Sequence, residues 1–105
     1  YYSIFPNLLL SLHPDYVMYH IILPNGLDKC NVTCSWLFDN NVIQSKKYNL
    51  NDAVDFWDKT NKQDWYITEL SQLGIKSKKY FPAPYSGQES LLAAFDQYYL
   101  DKIIK

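Results

Sequence analysis

YVMYHIILPNGLDKCNVTCSWLF, residues 16–38, reads as strand, turn and strand, and it sets the fold class. From Tyr16 to Leu23 both faces are apolar, as in a strand that runs through the middle of a sheet. Pro24-Asn25-Gly26-Leu27-Asp28 concentrates the residues that favour turns. From Lys29 to Phe38 apolar residues alternate, with Cys30, Val32, Cys34, Trp36 and Phe38 on one face. A turn this short joins its strands antiparallel. Cys30 and Cys34, four residues apart on one strand, stand roughly 13 Å apart, too far for a disulfide. They also lack the spacing of a metal knuckle, so they are read as small buried hydrophobes. Asn31-Val32-Thr33 matches a glycosylation sequon by chance, since it falls inside a strand of a chain expected to be cytoplasmic.

Upstream, Asn7 to Leu12 forms a shorter apolar strand, broken at His13-Pro14. The opening Tyr1-Tyr2-Ser3-Ile4-Phe5 is strand-like and lacks Met, as in a fragment of something longer. Downstream, a polar connection from Asp39 to Asn49 leads to a helix over Asn51 to Leu73, a stretch without Pro or Gly that Gly74 is expected to stop. Ser86-Gly87-Gln88-Glu89 has capping-box spacing and opens a last helix that runs to about Ile103. Its Leu91, Leu92, Phe95, Tyr98 and Tyr99 recur at helical spacing and are assigned to the core. Antiparallel strands followed by helices define an α+β layer.

With 105 residues, a 48% hydrophobic share and a net charge of -1, the chain is one domain at most, is not disordered, and has no basic footprint for nucleic acid. No apolar run approaches a membrane span and no signal peptide is present, so a soluble, cytoplasmic protein is expected. Phosphate loops, nucleophile elbows and Cys-His nucleophile pairs are missing, which sets aside most hydrolase and nucleotide chemistry.

One charged residue breaks the pattern of the first long helix. At roughly 100° per residue, Ala53, Trp57, Thr60, Ile67, Thr68 and Ser71 project to the side of Asp64. The other charges, Asp52, Asp55, Asp58, Lys59, Lys62 and Glu69, fall on the opposite side. A carboxylate on an inward face costs several kcal/mol, roughly, unless it is paired or bound to metal. A local ion pair, a carboxylate at a wet helix end and a functional site are the readings. Asp64 with His13 and His20 has the composition of an iron facial triad, but no local geometry aims both imidazoles at one point. The histidines are read as structural, His20 bonding inside the sheet and His13 ordering its turn.

The order of residues then becomes specific. Phe5-Pro6-Asn7-Leu8-Leu9-Leu10-Ser11-Leu12-His13-Pro14-Asp15-Tyr16 strongly resembles the catalytic domain of Rieske non-haem iron oxygenases, the ring-hydroxylating dioxygenase alpha subunits. So does Asp55-Phe56-Trp57-Asp58-Lys59-Thr60-Asn61-Lys62-Gln63-Asp64-Trp65, continuing through Glu69, Gln72 and Gly74, and then Pro84-Tyr85-Ser86, Glu89 and Phe95. The resemblance covers nearly the whole chain and implies part of a helix-grip domain, an antiparallel sheet packed by helices.

It also implies that Asp64 is the carboxylate ligand of a mononuclear Fe(II). Counting from Trp57 instead brings Asn61 nearer the ligand position of the naphthalene-type branch, though Asn is a poor iron ligand beside an available Asp. Trp57, Thr60, Asn61 and Thr68 share the helix face as candidates for the pocket or for support of the ligand. The Cys-His pairs of the [2Fe-2S] Rieske cluster are absent, and so is the upstream helix with its two iron-binding histidines. Residues 1–105 therefore look like the C-terminal part of the catalytic domain, with one iron ligand of three. For the intact enzyme the resemblance implies a small-molecule substrate, O2, electrons from a reductase or ferredoxin, and a homotrimer or alpha/beta hexamer. Hydroxylation or dihydroxylation of an aromatic ring is the first expectation. N-methyl oxidation of a choline, carnitine or glycine betaine type compound rivals it, because the Asp64-Trp65 to Gly74 spacing looks more like that branch. A non-catalytic helix-grip binding module is the reading from another class, and translated sequence upstream of Tyr1 separates them. The fragment alone is expected to be inactive, to hold no tight iron and to be marginally stable.

Overall fold

A computed structural model describes residues 1–104 and divides the chain into two compact units, one from Tyr1 to Leu73 and the other from Gly74 onward. The first unit holds a four-stranded antiparallel sheet in the order β1-β2-β3-β4, where β1 is Tyr2–Ile4, β2 is Leu8–Leu12, β3 is Tyr16–Pro24 and β4 is Cys30–Phe38. The hairpin expected over residues 16–38 is present, with Tyr16 opposite Phe38, His20 opposite Cys34 and Pro24 opposite Cys30. Gly26 sits in its turn at φ 80°, a left-handed conformation that suits glycine. The Asn25 amide closes the turn on the Lys29 carbonyl at 2.9 Å. β2 pairs with the other edge of β3, Ser11 opposite Met18, so β3 is central and β4 is an edge strand.

Strand alternation sorts the sheet into two faces. Leu9, Ser11, Tyr16, Met18, His20, Ile22, Val32, Cys34, Trp36 and Phe38 share one. Met18, at 1% exposure, is the fully buried hydrophobic side chain of the described residues, and Ser11 beside it is 6% exposed. On the other face Leu8, Leu10, Val17, Tyr19 and Ile21 are half-buried, while Leu12, Leu23 and Leu37 are exposed.

Three helices follow. The connection read as polar and irregular contains one of them, α1, Asn40–Ser45. Its N-cap is Asp39, whose carboxylate accepts the Asn41 amide at 2.7 Å, and it ends on Lys46 in the left-handed region. α2, Asn51–Ile75, carries Gly74 inside its last turn. A single exposed glycine costs about 1 kcal/mol in a helix, which a helix of 25 residues tolerates. α3 is Ser90–Ile103.

In the second unit the capping box is half formed. Glu89 accepts the Ser86 amide at 2.7 Å, but the Glu89 amide returns to the Ser86 backbone carbonyl rather than to its hydroxyl. The helix accordingly begins after Glu89. Donation from the Ser86 amide, and then from its hydroxyl, holds the Glu89 carboxyl below its ordinary value of 4.5. A carboxyl depressed in the folded state stabilises above its unfolded pKa, and that contribution is lost as pH falls through the folded one. The Ser86 amide proton shift should therefore titrate with a midpoint below 4.5, and Glu89→Gln should abolish the titration. The assignment of Leu91, Leu92, Phe95, Tyr98 and Tyr99 to a core is not met, since all of them are exposed and α3 has no buried residue.

Candidate functional site

α2 lies on the Tyr16/His20 face of the sheet, and two side-chain links fix it there. The Trp57 indole N–H donates to the Tyr16 hydroxyl at 2.6 Å. One turn further, His20 Nε2 meets the Asn61 side-chain oxygen at 3.1 Å, so the ring carries its proton on Nε2. Asn61 is 6% exposed, the buried residue of the helix. Cys34 stands opposite His20 on β4, close to the Asn61 amide. Burial pushes the Cys34 thiol up and the Asn61 side chain pulls it back less, leaving it raised and protonated at neutral pH. Cys30 and Cys34 are both free, as expected, but neither is the buried hydrophobe expected: Cys30 is exposed near the hairpin turn and Cys34 is half-buried.

The aromatic contacts around Trp57 explain His13. Its ring stacks on Tyr16 at 4.4 Å between centroids and lies 5.6 Å from Trp57, while its Nε2 is buried without a hydrogen-bond partner. The turn itself is tied by the backbone, His13 N–H to the Tyr16 carbonyl at 3.0 Å. His13 therefore packs as a ring rather than ordering the turn through its side chain. His20 likewise bonds to α2 and not inside the sheet.

Asp64 stands about 20° from Trp57 around the helix and about 10.5 Å beyond it along the axis. Its direction is the one expected, within the sector of α2 that faces the sheet at Trp57 and Asn61. Its environment is not. Asp64 is exposed, as are its helix neighbours from Lys62 to Ser71, and its carboxylate has no hydrogen bond or ion pair among the described residues. The desolvation cost that made it anomalous is absent here, because this stretch of α2 is exposed. The Thr60 and Thr68 hydroxyls turn back to the Phe56 and Asp64 carbonyls at 3.0 and 2.9 Å, so their protons serve the helix backbone.

Two open grooves of about 360 and 380 Å³ share Pro14, Asp15 and Phe38, and Asp64 lines neither. Among the described residues no three His, Cys, Asp or Glu side chains come together as a metal site. The free Asp64 carboxylate has the hard, anionic oxygen suited to one position of an Fe(II) site, so it fits that role, and among the described residues no two other His, Cys, Asp or Glu side chains complete a site with it. His13 and His20 do not join it. Cys34 stands opposite His20, but among the described residues no third His, Cys, Asp or Glu joins them, so these residues do not fit a [2Fe-2S] cluster. No described helix is long and apolar enough to cross a membrane.

The Tyr16–Trp57 and His20–Asn61 links were not anticipated from sequence. A signal existed: positions 16 and 20 share a strand face, and 57 and 61 share a helix face, so the two pairs can meet in one crossing.

With sheet, helix and carboxylate in place, the sequence comparison gives the class. Residues 1–104 match the model of the ring hydroxylating alpha subunit catalytic domain, and the chain belongs to that family. Among curated proteins it is similar to the glycine betaine monooxygenase oxygenase subunit of Pseudomonas aeruginosa, 32% identical over 72 residues, which is 69% of this chain and 17% of that protein. The protein of the same name from Chromohalobacter salexigens is 32% identical over 81 residues, 77% of this chain and 18% of that protein. The chain thus spans less than a fifth of the length of these relatives. No solved structure matches it significantly.

Proposed function

We propose that this chain is the C-terminal part of the catalytic domain of a Rieske-type oxygenase alpha subunit, and that Asp64 is the carboxylate ligand of its mononuclear iron. The observation that carries the reading is Asp64 itself, a carboxylate with no partner among the described residues, turned to the sheet-facing side of α2. Iron held there, with O2 and electrons from a [2Fe-2S] cluster outside this segment, supplies the oxidising chemistry when bound.

The chain's own residues have three tasks. Asp64 contributes an anionic oxygen and, as a single protein ligand, leaves positions open for others. Trp57 and Asn61 are committed to Tyr16 and His20 and hold α2 on the sheet. Thr60 and Thr68 keep their hydroxyl protons on backbone carbonyls, so on this helix face they present methyl groups and lone pairs rather than donors.

Monooxygenation of an N-methyl group on a quaternary ammonium compound is the substrate reading we favour, supported by the names of the relatives. Hydroxylation of an aromatic ring is the second reading, supported by the description of the family. The intact enzyme takes electrons from a reductase or ferredoxin, assembles as a homotrimer or alpha/beta hexamer, and works in the cytoplasm.

The test is O2 uptake by the full-length polypeptide, supplied with Fe(II) and an electron donor. Glycine betaine, carnitine and choline are compared with simple aromatic acids. Formaldehyde release matching O2 uptake with an N-methyl substrate is the expected result. Hydroxylated ring products with no formaldehyde favour the second reading. No substrate-dependent uptake in either group overturns the oxygenase reading and leaves the binding module.

A further inference from the structure

We propose that Asn61 is a positioning residue: through its hydrogen bond with His20 on β3 it sets the height and rotation of α2, and so aims Asp64. This rests on the reading of Asp64 as an iron ligand and extends it to the scaffold.

Asn61 is an unusual choice for the middle of a helix. Its helix propensity is low, and an amide buried without partners is costly. Here the amide oxygen accepts from His20 Nε2 at 3.1 Å. His20 lies on β3, a central strand, so this one side chain ties the helix to the middle of the sheet at a single level. An apolar residue here would pack α2 on the sheet without fixing where along it the helix stops.

Asp64 follows Asn61 by three residues, roughly 4.5 Å along the axis and 60° around it. Over that distance an α-helix is a stiff rod. With Trp57 bonded to Tyr16 one turn before Asn61, α2 is held at two points on β3, and the direction of the next turn is determined. Within the unit from Tyr1 to Leu73, these two links are the side-chain hydrogen bonds of α2 to the sheet nearest to Asp64. Asn61 is the nearer one.

The test is the affinity of the full-length polypeptide for Fe(II), added as a ferrous salt against a competing chelator. Asn61→Leu keeps the branched shape and removes the hydrogen bond, and His20→Leu cuts the same link from the sheet. Each should weaken iron binding by about 10-fold to 100-fold, the range for residues that orient metal ligands. The double variant should be no weaker than the worse single one. His20→Gln, whose amide can still donate to Asn61, should restore most of the affinity, and the line shape of the ferrous nitrosyl signal should shift in the Leu variants and return in the Gln variant.

Wild-type affinity and line shape in Asn61→Leu overturn the inference, provided that Asp64→Ala has lost iron. If Asp64→Ala keeps its iron, the iron-ligand reading itself has failed. Should Asn61→Leu not fold, the His20 pair decides: equal affinities in the Leu and Gln variants also overturn the inference.

Discussion

Asp64→Ala in the full-length polypeptide is expected to leave a folded protein without iron. Metal content should fall from about one per chain to near zero, and substrate-dependent O2 uptake should fall by roughly 100-fold or more, beyond what loss of a supporting residue costs. Asp64→Asn should behave almost the same way, because the amide has the shape of the carboxylate but neither its charge nor its basic second oxygen. The scaffold should not notice. Asp64 is exposed and its carboxylate is unpaired, so in the 105-residue chain its replacement should change stability by no more than about 0.5 kcal/mol. A charge held in a structural ion pair behaves oppositely, since removing one partner unsettles the other. Metal analysis and thermal melts of the same variant therefore separate the two roles, and an Asp64→Ala protein that melts early and keeps its iron would sink the assignment.

The second large effect belongs to Met18. It is 1% exposed, centred on β3 beneath α2, with Ser11 and Trp36 as its neighbours across the strands. Truncating a buried Met to Ala costs about 2–5 kcal/mol through lost burial and the cavity left behind. A small domain is stable by only about 5–15 kcal/mol, and this sheet buries few other side chains fully. Met18→Ala should therefore end cooperative urea unfolding of the isolated chain, as followed by circular dichroism. Met18→Leu nearly conserves volume and should cost less than about 1.5 kcal/mol. Leu27→Ala, at a fully exposed turn position, should do nothing measurable. Equal midpoints for Met18→Ala and Leu27→Ala would show that the centre of the sheet is not where stability resides.

How much of this was legible in the sequence depends on how local each signal was. The hairpin was plain because alternation over Cys30–Phe38 and the Pro24-Asn25-Gly26 turn agree on one register. Its partner strand β2 followed from an apolar run and a proline break. α1 was missed because Asp39 was taken as one more polar residue of a connection, although as an N-cap before Val42 and Ile43 it starts a helix. Gly74 was overrated as a stop, since a helix this long loses little by carrying it near its end.

The rotation of Asp64 toward the sheet side was correct, because helical phase is local. Its exposure was only one of the open readings, because burial depends on what stands opposite, and phase says nothing about that. The exposure of α3 has the same cause. Least legible was the bridge from Asn61 to His20, formed by residues 41 positions apart, of which only one belongs to the helix being read.

The edge position of β4 has a practical meaning for anyone who prepares this segment alone. Alternate backbone amides and carbonyls along Cys30–Phe38 point away from β3 toward solvent. The strand carries no proline and no charged residue that would discourage a neighbour. Nine residues of open hydrogen-bonding template invite another strand, and a second molecule is the one always at hand. Concentration then decides whether the segment stays a monomer, and a single lysine at Thr33, an exposed position on the face away from α2, is the simplest guard.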